Sequence, residues 1–112
     1  MDCSGCPEVD LGVLGTELLE QLQGRRYPLS GSIELTERCN LRCLHCYISQ
    51  PAGSQEAMAN ELTLPQIQDI LDQIVDAGCL FLLVTGGEPL LRPDFADIWR
   101  YAKNKGLLLT LF

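Results

Sequence analysis

The sequence has 112 residues, 46% of them hydrophobic, and 15 acidic against 8 basic side chains give a formal net charge of -7. That hydrophobic share excludes a disordered tail or low-complexity linker, and a chain of this length buries roughly two thirds of its unfolded surface, so disulfides are not needed to hold a core. No Lys or Arg run is dense enough to follow a phosphate backbone and no apolar stretch approaches the roughly 18 to 20 residues of a bilayer span, so neither nucleic acid nor membrane is expected as a partner.

The opening Met1-Asp2-Cys3-Ser4-Gly5-Cys6 lacks the basic and apolar regions of a signal peptide, which predicts a cytoplasmic protein. In a reducing cytosol, six cysteines point to metal binding or thiol chemistry before they point to bridges.

In chain order, Leu11, Leu14, Leu18, Leu19 and Leu22 fall at helical spacing before Gly24 and Pro28, which predicts a short amphipathic lead-in helix. Ser32 to Thr36 alternates polar and apolar residues as a short strand and runs straight into the cysteine segment. Gln50 to Asn60, rich in Pro, Gly, Ser, Gln and Ala, reads as a loop. Thr63 then caps a helix with Gln66 as its capping-box partner; Ile67, Ile70, Leu71, Ile74 and Val75 line one face and Gly78 ends it.

Cys79 to Thr85 is a continuous apolar run, suited to a strand covered on both faces of a parallel sheet. A helix of ~13 residues and a strand of ~6 both span about 20 Å, as a packed crossover unit requires. Gly86-Gly87-Glu88-Pro89 is a turn. Phe95, Ile98, Trp99 and Ala102 mark a second amphipathic helix ending at Gly106, and Leu107 to Phe112 begins another buried strand. Strand, helix, strand, helix, strand implies parallel pairing with right-handed crossovers, an α/β fold amounting to the first half of a barrel or open sheet. Residues 1–31 form a lead-in and residues 32–112 the partial core.

Cys39, Cys43 and Cys46 make C-x3-C-x2-C at the end of the first predicted strand. Thiolates hold iron–sulfur clusters, and three of them leave one iron of a 4Fe-4S cube open. An open coordination position distinguishes a metal site that binds a reactant from a closed structural one, and the C-terminal edge of parallel strands is where α/β folds place their ligands. Zinc is the alternative; its fourth ligand would have to come from His45, Cys3, Cys6 or Cys79.

The segment from Leu35 to Tyr47 resembles the cluster loop of the radical S-adenosylmethionine (radical SAM) superfamily, and Gly86-Gly87-Glu88-Pro89 resembles that family's GGE motif. The resemblance implies a partial (β/α)6 TIM-type barrel ending here within its third strand, with Cys39, Cys43 and Cys46 holding a 4Fe-4S cluster. It implies S-adenosylmethionine on the fourth iron, with His45, and more weakly Tyr47, against the adenine, and Gly86, Gly87 and Glu88 supporting the methionine amino group. The reaction implied is reductive cleavage to a 5'-deoxyadenosyl radical that abstracts hydrogen from a substrate. An electron donor such as flavodoxin or ferredoxin follows, with a peptide substrate or a completing polypeptide as further partners.

Leu62-Thr63 and Leu90 to Phe95 look closest to members that modify peptides or assist cofactor and sulfatase maturation. The rival readings are a non-catalytic Fe-S or zinc module and an inert truncated remnant. Cys3 and Cys6 are read as free thiols before an auxiliary metal pair, Cys79 as a small core residue, and Phe95 and Trp99 as packing.

Overall fold

The computed structural model describes residues 11–48 and 50–112. The elements run α1 (Leu11–Gln21), β1 (Ser30–Glu34), β2 (Arg38–Cys39), β3 (Gln50–Pro51), α2 (Gln55–Asn60), α3 (Leu64–Asp76), β4 (Phe81–Thr85), a 3-10 turn (Pro89–Leu91), α4 (Phe95–Asn104) and β5 (Leu108–Leu111).

β1, β4 and β5 form a parallel sheet with β4 in the middle, Ser30 lying opposite Phe81 and Phe81 opposite Leu108. The chain steps across the sheet in one direction, and crossovers of one hand put α3 and α4 on the same face. Leu82 and Val84 of β4 are buried there with Ile67 and Leu71 of α3, Ile98 and Ala102 of α4, Leu35 and Leu107. Each Leu, Ile or Val among them contributes about 1.5–3 kcal/mol by leaving water. Tyr101 and Lys105 tie the two helices together at the rim, both reaching Asp72, at 3.0 and 2.7 Å.

The sequence suggested that β4 is covered on both faces, and this needs correction. Leu82 and Val84 are buried while Phe81, Leu83 and Thr85 keep partial exposure, because both helices lie on one side. β1 starts and ends two residues earlier than the alternating pattern implied, yet its ladder with β4 continues: the Leu35 N–H donates to the Thr85 carbonyl at 2.9 Å. The buried strand expected from Leu107 to Phe112 needs correction too: Leu107 is buried, but β5 lies at the sheet edge with Leu108, Leu111 and Phe112 exposed, since among the described residues no strand pairs with its outer side.

The segment 50–60 is not wholly a loop. Gln55–Asn60 is a helix whose N-cap, Ser54, accepts a hydrogen bond from the Ala57 N–H at 3.2 Å. Its composition hid it, since a capped six-residue helix with a single buried side chain, Ala57, has no apolar stripe to betray it. α3 forms as its capping box predicts, with Gln66 Oε1 accepting the Thr63 N–H at 2.9 Å.

α1 forms near its predicted span, and its Leu18 and Leu22 share a shallow cavity with Leu29 and Leu80. Cys79 precedes β4, half-buried against the core; burial pushes its thiol up, and the thiol donates to the Phe81 carbonyl at 3.4 Å. Phe95 and Trp99 pack on the core too, with ring centroids 5.7 Å apart. Cys3 and Cys6 lie outside the described residues. No helix among the described residues is long and apolar enough to cross a membrane.

Candidate functional site

Beyond β1 the chain passes through Leu35 and Thr36 and bends at Glu37 before entering the cysteine loop at β2. β2 then pairs in parallel with β3, Arg38 opposite Gln50 and Cys39 opposite Pro51, so the two ends of the loop are hydrogen-bonded to each other. Arg38 reinforces this closure, its Nη1 donating to the Ala52 carbonyl at 3.1 Å.

Cys39, Cys43 and Cys46 line one cavity of about 480 Å³ with Asn40, Arg42 and Ile48. Cys39 is partly exposed and its Sγ accepts the Leu41 N–H at 3.3 Å; Cys43 and Cys46 are exposed, and the Cys46 N–H donates to the Cys43 carbonyl at 3.2 Å. Among the described residues no three His, Cys, Asp or Glu side chains are grouped closely enough to hold a metal ion. His45 and Tyr47 are exposed and stand apart from the residues lining this cavity, and the loop's apolar side chains Leu41 and Leu44 are exposed as well.

The glycine turn meets the loop at its base. The Gly87 N–H donates to the Thr36 carbonyl at 2.7 Å and the Glu88 N–H to the Arg38 carbonyl at 2.8 Å. Gly86 has φ of 146°, a conformation that L side chains rarely adopt, and a Cβ there would stand 2.5 Å from the Thr36 carbonyl oxygen. A Cβ on Gly87 would meet the Arg38 carbonyl carbon at 2.7 Å and the Glu37 carbonyl oxygen at 2.8 Å. Both glycines are therefore required for backbone to lie on backbone. The Glu88 carboxylate caps the 3-10 turn that follows, accepting the Leu90 N–H at 3.0 Å.

Sequence reasoning missed the charged group behind the loop. Arg38 and Arg92 are only 6% and 5% exposed. Glu61, at the junction of α2 and α3, accepts Arg38 Nε at 2.6 Å and Nη2 at 3.2 Å, together with a short hydrogen bond from the Thr36 hydroxyl. Arg92 Nη1 lies 3.7 Å from the second Glu61 oxygen, and its guanidinium also reaches the Leu35 carbonyl at 3.1 Å, the Leu62 carbonyl at 2.9 Å and Asp94 at 2.8 Å. Two cations and two anions balance, as burial of charge demands.

Burial pushes the Glu61 carboxyl up, but the hydrogen bonds from Arg38 and Thr36 and the charges of Arg38 and Arg92 outweigh it and hold the group below its usual range. The hydrogen bond to Glu61 raises Arg38 in turn, and the one from Arg92 lowers Asp94. The only local signal for this group was an arginine placed directly before a cysteine ligand candidate. Its partner is 23 residues away, beyond any periodic pattern.

Residues 33–111 match the family model described as Radical SAM superfamily. The chain is 40% identical over 78 residues to an AdoMet-dependent heme synthase of Methanosarcina barkeri, covering 70% of this chain and 22% of that protein. It is 38% identical over 86 residues to the mycofactocin maturase MftC of Mycobacterium ulcerans (76% of this chain, 22% of the relative). It is 39% identical over 84 residues to a PqqA peptide cyclase of Streptomyces rochei, with 75% and 22% covered. The chain thus spans about a fifth of the length of these curated relatives. With parallel strands, a three-cysteine loop and a glycine turn on its base, and a family match running through all of them, the chain belongs to the radical SAM superfamily of enzymes.

Proposed function

We propose that this chain is part of a radical SAM catalytic core, in which Cys39, Cys43 and Cys46 hold a 4Fe-4S cluster and the Gly86–Glu88 turn helps to bind S-adenosylmethionine. The observation that carries the reading is the direct backbone contact of the two motifs, Gly87 to Thr36 and Glu88 to Arg38, at the C-terminal ends of neighbouring parallel strands. That edge is where α/β folds gather their ligands.

The donor set fits the group: the three thiols are not gathered to share a single ion, and a cluster takes one thiolate on each of three separate irons. Three thiols line one cavity, one of them accepts a backbone N–H as cluster thiolates do, and three thiolates leave one iron of the cube for a reactant. When bound, such a cluster supplies one electron for reductive cleavage of S-adenosylmethionine to methionine and a 5'-deoxyadenosyl radical, which takes hydrogen from a substrate.

The chain's own residues bind and orient. Glycines at 86 and 87 bring main chain close to the loop base, and the Glu88 carboxylate, 3.0 Å from the Leu90 N–H, offers an anion for an ammonium group. His45 and Tyr47, both exposed on the loop, are free to lie against an adenine ring. Residues 32–112 then correspond to the first half of a partial (β/α)6 barrel, with 1–31 as its lead-in. Likeness to a PqqA peptide cyclase favours a peptide substrate, and one-electron cleavage calls for a protein donor such as flavodoxin or ferredoxin.

The test is anaerobic reconstitution with iron and sulfide, followed by electron paramagnetic resonance of the reduced protein with and without S-adenosylmethionine. A 4Fe-4S signal that shifts on adding S-adenosylmethionine and is lost in Cys43→Ala is the expected result. A cluster indifferent to S-adenosylmethionine would sink the cofactor assignment, and failure to retain iron would sink the metal assignment for this chain.

A further inference from the structure

We propose that Glu61 is a positioning residue that fixes the cysteine loop and the glycine turn relative to each other before any cofactor is present. The claim rests on the proposed function for its purpose, and on the geometry alone for its mechanism.

Thr36 and Arg38 flank a bend at Glu37, and the Arg38 backbone N–H, donating to the Thr36 hydroxyl at 3.0 Å, holds the two residues together. Both side chains converge on Glu61, the Thr36 hydroxyl and the Arg38 guanidinium each donating to Oε1. The carbonyls of the same two residues hold the turn, Thr36 accepting from Gly87 at 2.7 Å and Arg38 from Glu88 at 2.8 Å. One carboxylate thus restrains, through two side chains, both backbone acceptors on which the turn hangs.

Arg38 extends the restraint to the far end of the loop. Its Nη1 bond to the Ala52 carbonyl holds the returning chain, and its backbone N–H donates to the Thr36 hydroxyl at 3.0 Å, so the hydroxyl that meets Glu61 is also bonded to the Arg38 main chain. Glu61 sits between two helices, and the capping boxes of α3 and the Ser54 cap of α2 fix its position from both sides. The restraint is anchored in the scaffold, not in the loop. Arg92, 3.7 Å from Glu61 and bonded to the Leu35 and Leu62 carbonyls, holds the opposite flank of the same carboxylate. Removing Glu61 leaves the buried Arg38 guanidinium with the Ala52 carbonyl alone, while Arg92 keeps Asp94 and the Leu35 and Leu62 carbonyls.

The experiment uses the metal-free chain as wild type, Glu61→Gln, Glu61→Ala and, as a stability control remote from the group, Leu71→Ala. Amide hydrogen exchange at Gly87 and Glu88 is measured together with global unfolding by urea. In Glu61→Ala these two amides should exchange about tenfold faster than its loss of global stability accounts for, with Glu61→Gln, which keeps hydrogen-bonding oxygen but not charge, in between. In Leu71→Ala they should accelerate only as far as global stability falls.

Equal acceleration in the Glu61 variants and Leu71→Ala would overturn the proposal by reducing Glu61 to a general stabiliser. Should Glu61→Ala not fold, Glu61→Gln carries the same comparison. A second measurement on reconstituted protein compares S-adenosylmethionine titrations of the cluster signal at equal iron content, where Glu61→Gln should need about tenfold more for half effect. An unchanged titration midpoint would overturn the proposal. If wild type itself shows no S-adenosylmethionine effect, the functional reading fails while the exchange data still decide the role of Glu61.

Discussion

The amide of Glu88 lies 2.8 Å from the carbonyl oxygen of Arg38, one residue before the first cysteine of the loop. The parallel ladder therefore does not stop where the regular strands do. It runs on into irregular chain and joins two sequence motifs that two helices and two strands separate, β3, α2, α3 and β4.

Gly87→Ala should be one of the least tolerated changes in the chain. The added Cβ meets main chain of Arg38 and Glu37, which has no rotamer to move away. A loss of about 2 kcal/mol in urea unfolding is expected, within the range of overpacked sites. Gly53→Ala, where nothing lies within 4 Å of the added Cβ, should change stability by less than about 0.5 kcal/mol.

Buried and exposed ion pairs should separate cleanly. Arg92→Ala leaves Asp94 without its partner, leaves the Leu35 and Leu62 carbonyls without their donor and opens a buried cavity, and should cost about 3 to 5 kcal/mol even though Glu61 keeps Arg38. Arg100→Ala, whose 2.8 Å partner Asp97 is as exposed as itself, should cost less than about 0.5 kcal/mol. Comparable losses from the two would mean that the charges behind the loop are far better hydrated than the structure shows.

Acid should unfold the protein through the same group. The folded state holds Glu61 and Asp94 below their ordinary values of 4.5 and 3.8, so their contribution is complete above those values and is lost as pH falls through the lower folded ones. Urea midpoints measured from about pH 6 down to about pH 3 should therefore decline, and Glu61→Gln should decline less steeply. A slope unchanged by that substitution would remove Glu61 from the acid response.

Thiol reactivity should follow exposure. In the metal-free protein, iodoacetamide should label exposed Cys43 and Cys46 at least about tenfold faster than Cys79, whose thiol is half-buried and pushed up by burial. Peptide mapping by mass spectrometry over a time course gives the rates. Rapid labelling of Cys79 would show that the chain between α3 and β4 opens readily.

What could be read in advance was whatever leaves a local signature. α3 announced itself through Thr63, Gln66 and five apolar positions at helical spacing, and the apolar run ending at Thr85 announced β4. The cysteine spacing marked the loop, and paired glycines marked a close approach. Glu61 left no such trace, because its partners Thr36 and Arg38 are 25 and 23 residues away and nothing periodic connects them. α2 escaped for a related reason: its burial rests on Ala57 alone, although Ser54 followed by Gln, Glu, Ala and Met was a usable helix signal.

The short pairing of Arg38–Cys39 with Gln50–Pro51 has a bearing on how such a loop can change. With both ends stitched together, the stretch between them behaves as a cassette whose length and wording are insulated from the scaffold. Closing a loop twice as long adds only about 0.6 kcal/mol, so the return from Cys46 to Gln50 can lengthen or be rewritten without disturbing the cysteine spacing or the sheet beneath. Novelty in the return and constancy at the root can then evolve separately, with the boundary between them at Cys46 and Gln50.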